Sequence, residues 1–166
     1  MAPHPVQVYT DPLQHAVIAA TVAAPLGRQA VRAAVAAALL IDLDHAVAAR
    51  SVRVRATTGL DTRPRTHSLV TALAAGLAVA RARGPAQGWA VFSGLVSHFL
   101  HDAGDRAAPT PMLWPFRPAR QLGRRRQVLF TAALVAVSFA AAAASRRRTS
   151  SAAGDGGGGT APPRTA

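Results

Sequence analysis

The sequence predicts an all-α protein: a membrane-associated helical bundle of four short helices, followed by a C-terminal transmembrane helix. Three observations support this. Apolar residues gather into five segments punctuated by proline and glycine. None of the five alternates polar and apolar residues as a half-buried strand would. Half the chain is hydrophobic but only 5% is aromatic, so alanine, valine and leucine dominate the apolar content, and alanine and leucine favour helix.

The first segment, 13–26 (LQHAVIAATVAAPL), stops at Pro25 and Gly27. The second, 30–45 (AVRAAVAAALLIDLDH), runs into a cluster of Asp42, Asp44 and His45. The third, 67–82 (HSLVTALAAGLAVARA), is opened by His67 and closed by Gly84 and Pro85. The fourth, 86–101 (AQGWAVFSGLVSHFLH), ends beside Asp102 and a proline-rich loop, PTPMLWPFRP. The fifth, 127–144 (QVLFTAALVAVSFAAAAA), approaches the roughly 20 residues needed to cross a bilayer, and arginine triplets flank it as headgroup anchors. The first four are shorter and carry polar ends, consistent with short or tilted spans. Residues 1–126 therefore read as a helical domain, 127–144 as a transmembrane helix, and the Gly-, Ser- and Arg-rich stretch 145–166 as a disordered tail.

Composition narrows the function. All 19 basic residues are arginine, glutamate is absent, and the net charge is +12. Such a balance favours anionic partners, membrane lipids among them. No basic helix face interleaved with aromatics is present, so specific nucleic-acid binding is not expected. The absence of cysteine excludes disulfides and thiolate metal sites. The N-terminus lacks the basic n-region of a signal peptide.

If successive helices alternate direction, the starts of the odd helices and the ends of the even ones share one face. His15, Asp42, Asp44, His45, His67, His98 and Asp102 then meet at one end of the bundle. His98 and Asp102, four apart, share a helix face, and Asp42 and His45, three apart, can do the same. Imidazole and carboxylate without sulfur suit a divalent metal ion, zinc before manganese or iron, and more than four candidate ligands leave room for two ions. Residue by residue, plainer readings stay open: an interfacial or capping His15, a His98–Asp102 hydrogen-bonded pair, a capping Asp42 or Asp44. His101 lies about 60° or more around the helix from the His98–Asp102 face and is set aside. His4 is likewise set aside. Asp11 and Asp105 are read as solvated loop residues, with outer support of a ligand imidazole as the alternative. Arg63 and Arg65 precede His67, and an arginine fork can grip phosphate or carboxylate in two places.

The ordered motifs DPLQHAVIAA, IDLDHA, RPRTHSL, SHFLHD and LWPF resemble those of the YdjM-like membrane-bound, metal-dependent hydrolases. That family pattern comprises a DPxTH start, a PDxDH cluster, an HRGxTHS loop, an SHxLLD helix end and a downstream LxPF. The resemblance spans roughly residues 11–116. It implies metal or catalytic roles for His15, Asp42, Asp44, His45, His67, His98 and Asp102, and a phosphate contact for Arg63. Gln14, Ile41, Thr62 and Pro64 depart from the pattern, and Thr62 stands where the family has histidine. A missing histidine puts a second metal in doubt.

Three functions are thus expected in order. The first is an integral membrane hydrolase acting on an ester, foremost a phosphoester in a small molecule or a lipid. Its ligands are His15, Asp44, His45, His67, His98 and Asp102, with Asp42 and Arg63 as catalytic groups. The second is a non-enzymatic membrane protein with a structural or transported-metal site. The third, supported by charge alone, is a soluble DNA-associated protein. With five spans, eleven arginines fall on the side of the site and eight on the other, so the positive-inside rule expects a multi-pass inner-membrane protein with its site in the cytoplasm.

Overall fold

The structure, a computed structural model, describes residues 5–104 and 108–155; His4, Asp105 and the stretch 156–166 lie outside the described residues. Seven α-helices follow one another: α1 (Pro5–Ala23), α2 (Arg28–Leu40), α3 (Leu43–Ala48), α4 (Val54–Thr58), α5 (Leu69–Arg83), α6 (Pro85–Gly104) and α7 (Arg124–Asp155). The described residues contain no strand, only a single bridge between Thr110 and Arg120. The all-α expectation holds.

Helix boundaries differ most from the apolar segments in three places. Helix α1 begins at Pro5 and runs through Pro12, so His15 lies within a 19-residue helix and not near its start. Proline removes one backbone donor without ending the helix, because the turns on either side continue the ladder. Helix α2 stops at Leu40, and Asp44 and His45 belong to the separate short helix α3. The fifth segment extends at both ends, to Arg124 and Asp155. Residues 145–155 are helical here where a disordered tail is expected from composition. Alanine and arginine propagate a helix well, and the glycine run starts only after Asp155.

Helix α6 occupies the middle and packs against α1, α2, α5 and α7. Residues Ser93 to Ala103 are all buried, on every face of the helix. Small residues permit this crowding. A Cβ on Gly94 would lie 2.5 Å from the Ala34 carbonyl oxygen and 2.8 Å from its Cα. Gly76 and Gly88 bring α5 and α6 into similar contact. Alanines 19, 23, 30, 34, 38 and 90 form one core cluster; Phe99, with Ala72, Leu95, Val96 and Leu100, anchors the other. Two turns are made by glycines in backbone regions closed to other residues, Gly27 (φ 97°) before α2 and Gly84 (φ 92°) before α6.

Large apolar side chains face outward instead. Leu13 and Val17 on α1, Leu73 and Leu77 on α5, and Leu129, Phe130, Val137 and Phe139 on α7 are all exposed. Within α7, Gln127 and Ser138 point inward, and Trp89 of α6 donates from Nε1 to Ser138 Oγ at 3.0 Å. Arg124–Arg147 is long and apolar enough to cross a bilayer, with a mean hydropathy of 2.1 over its best window. Polar residues inside and leucines outside suit a lipid solvent.

Candidate metal centre

Each side chain of the site is held by a different local device. The α2–α3 turn presents Asp42, whose backbone occupies the position before α3 while its side chain makes no capping bond. Ser68 caps α5, its Oγ accepting from the Thr71 amide at 3.3 Å, and so fixes His67 just before the helix. The loop ahead of His67 is tied down by backbone bonds from Arg63 to Pro109 (3.1 Å) and from Leu69 to Met112 (2.9 Å). His98 and Asp102 project one turn apart from α6, and His15 enters from α1.

The seven expected metal or catalytic residues do come together. Asp42 Oδ1 faces three imidazoles, at 3.4 Å from His45 Nδ1, 3.7 Å from His67 Nε2 and 3.3 Å from His98 Nε2. Asp102 Oδ2 lies 3.4 Å from both His67 Nε2 and His98 Nε2. His67 and His98 therefore each direct one nitrogen at the same two carboxylates. Asp102 Oδ1 meets His15 Nε2 at 3.5 Å, and the His15 and His98 rings stack with centroids 3.7 Å apart. Asp44 lies alongside, 3.0 Å from His45 Nδ1 and 3.2 Å from His67 Nδ1, and accepts the Thr66 hydroxyl.

These distances are those of ion pairs, yet most of the facing atoms lack hydrogen-bond geometry. Both ring nitrogens of His15, His67 and His98, with Asp102 Oδ2 and Asp44 Oδ1, are buried without a hydrogen-bond partner. Buried polar groups normally have partners. Nitrogen and oxygen donors aimed at common points, in a set without sulfur, fit a metal ion. Two compact groups emerge, Asp42–His45–His67 and His15–His98–Asp102, each with ligand atoms within 4.8 Å of one another.

Arg63 joins the cluster. Its Nη2 pairs with Asp102 Oδ1 at 3.2 Å and its Nη1 donates to His45 Nε2 at 3.2 Å. A guanidinium cannot accept, so His45 Nε2 is the acceptor and Nδ1 carries the ring hydrogen, toward Asp44. Arg65 turns elsewhere and lies over the Trp114 ring, 5.8 Å from its centroid.

Electrostatics favour charged partners at the mouth of the site. Burial pushes the Asp42 carboxyl up, but His67 and His98 outweigh it and hold it well below the usual carboxylate range. Asp44 behaves alike under His45, His67 and the Thr66 hydroxyl. Burial lowers the His67 imidazole, while Asp42 and Asp44 raise it further, for a net rise above its ordinary value.

His101, set aside from sequence, and Asp11, read there as a solvated loop residue with outer support as the alternative, both belong here. His101 is buried, 3.5 Å from Asp11 Oδ1 through Nε2, and meets the His15 ring edge-on at 4.7 Å. Asp11 also faces His15, at 3.6 Å, from one turn earlier on α1 rather than from a loop.

The chain matches the YdjM inner membrane protein family over residues 11–154, which includes the fifth apolar segment as well as the motifs. It belongs to that family. No curated protein and no solved structure matches it. As a YdjM family member it is a membrane protein, its described residues supply one apolar helix of spanning length, and its histidine and aspartate groups can hold a metal ion.

Proposed function

We propose that this YdjM family protein is a multi-pass inner-membrane hydrolase that uses a divalent cation to cleave a phosphoester, in a small molecule or a membrane lipid. What supports this most directly is the convergence of buried, unbonded imidazole nitrogens and carboxylate oxygens beside an arginine fork. His15, His67, His98 and Asp102 would hold the cation, zinc before manganese or iron, with Asp42 Oδ1 completing the set. A bound cation supplies Lewis acidity and brings the pKa of a water toward neutrality. Asp42 is the most open of the central carboxylates, 36% exposed against 17% for Asp44 and 2% for Asp102, so its Oδ2 is the atom suited to take a proton from the attacking water. Asp44 faces the Nδ1 atoms of His45 and His67 and keeps the Nε2 of His67 turned inward. His45, committed to Arg63 and Asp44, acts as a support. Arg63 reaches the substrate by exchanging Asp102 and His45 for phosphate oxygens.

The span of α7 supports several helices crossing together. Its first turn touches α6 at His101, and Arg146 further along it donates to the Pro25 carbonyl in the α1–α2 turn. Nineteen residues separate those contacts, about 29 Å at about 1.5 Å per residue, close to the hydrocarbon thickness. The arginine bias supports a site on the cytoplasmic side.

The test uses the full chain in detergent: metal content, then hydrolysis of a generic phosphodiester and a short-chain phospholipid, with and without chelator. Bound cation with chelator-sensitive hydrolysis is expected. Bound cation without any hydrolysis would support a structural or transported-metal site instead, and no cation would remove both readings.

Arg63→Lys should leave metal content intact and lower turnover roughly 10–100-fold, the worth of one charge-assisted hydrogen bond of about 1.5–3 kcal/mol. Normal rates in that variant would exclude Arg63 from the reaction. A pH dependence follows as well. With its pKa raised in the folded state, His67 stabilises the chelated protein while protonated, and that contribution is lost as pH rises through its folded value. Loading a cation requires the neutral ring, so affinity should climb with pH across the same window, above the ordinary imidazole value of about 6.5. Thermal unfolding in detergent should therefore show opposite pH trends for chelated and loaded protein above that value. Parallel trends would exclude His67 as a ligand.

A further inference from the structure

Within the first turn of α7, Arg124 Nη1 donates to Gln127 Oε1 at 3.3 Å. Guanidinium nitrogens only donate, so the carbonyl oxygen of Gln127 faces Arg124 and its amide nitrogen faces His101 Nδ1, 3.1 Å away. Gln127 and His101 are both buried, and Gly104 leaves the room: a Cβ there would collide with Gln127 Oε1. His101 Nδ1 must then be the unprotonated nitrogen, and Nε2 carries the hydrogen toward Asp11 Oδ1 at 3.5 Å. The other oxygen of Asp11 faces His15 Nε2 at 3.6 Å.

We infer that Gln127 and His101 are positioning residues, which fix Asp11 and through it His15, so that the first turn of the membrane helix orients a side chain of the metal centre. The same hydrogen bond speaks against a second cation between Asp11, His15 and His101, close as their ligand atoms are. An Nε2 that retains its hydrogen has no lone pair to give. The tautomer stands on the hydrogen bonds alone; the effect on cation binding rests on the metal reading above.

Gln127→Glu separates this role from simple packing, because glutamate is nearly isosteric but presents an acceptor where the amide donates. The full chain, labelled with 15N-histidine in detergent, gives the tautomer of His101 from its ring nitrogen shifts, assigned by comparison with His101→Asn. The expected result is hydrogen on Nε2 in the wild type and on Nδ1 in Gln127→Glu, with cation affinity about tenfold weaker in that variant. Hydrogen on Nδ1 in the wild type overturns the inference, and this reading is decisive even if the variant fails to fold. Gln127→Glu binding cation at wild-type affinity also overturns it, while leaving the metal reading intact. A wild-type chain that binds no cation removes the metal reading, and the tautomer still decides the link between Gln127 and His101.

Discussion

His67→Ala should abolish stoichiometric cation binding while leaving the protein in the membrane. Outer partners of a metal ligand are worth about 10–100-fold in affinity, so loss of an inner donor should cost at least the upper figure. His67 is fully buried, and its two nitrogens face Asp44 on one side and Asp42 with Asp102 on the other. No neighbour replaces it, because the His98 Nε2 already faces the same carboxylates. Asp44→Ala should act in the same direction by releasing the Nδ1 sides of His45 and His67. Elemental analysis of membrane-extracted variants checks both; full metal content in the two would dismiss the site assignment. The outward apolar surface of α7 contains none of these residues, which is why membrane insertion should survive.

Gly94→Leu should be the most damaging substitution outside the site, and Gly94→Ala a measured fraction of it. The added Cβ meets Ala34 backbone, which cannot rotate away as a side chain would. Overpacking of this kind costs about 1–3 kcal/mol for a small addition and more for a larger one. Because α2 and α6 separate at this contact, Asp42 moves relative to His98, and cation affinity should fall together with the thermal midpoint. Gly94→Ala with wild-type midpoint and affinity would show that α2 and α6 have slack the packing does not suggest.

Much of this was legible in the residues. Alanine-rich runs without alternation fixed helix as the class, and antiparallel order alone gathered His15, Asp42, Asp44, His45, His67, His98 and Asp102 at one end. Local backbone choices were less legible. Nothing in IDLDH says that α2 stops at Leu40, because the turn there is set by the approach of Asp42 to histidines distant in sequence. The start of α1 was hidden by Pro12, which usually marks a boundary. His101 was misjudged for a more general reason. Counting angles from one buried face assumes that a helix has only one, and α6 is enclosed all round, so the side away from His98 and Asp102 meets Asp11 and Gln127. Partners of this kind come from α1 and α7, and a helical wheel cannot supply them.

The chain has seven acidic residues, and four of them, Asp11, Asp42, Asp44 and Asp102, are gathered around five imidazoles and one guanidinium. Sequestering so much of the negative charge leaves the exterior of the described residues rich in exposed arginines, among them Arg28, Arg32, Arg50, Arg117 and Arg125. The molecule is therefore polarised from outside to inside: its periphery attracts anions over distances set by the ionic strength, about 8 Å at physiological salt, whereas its centre attracts cations only on contact. On the proposed function, a negatively charged ester and a positive ion would be drawn to the same place by different parts of the field, without competing for one attractor.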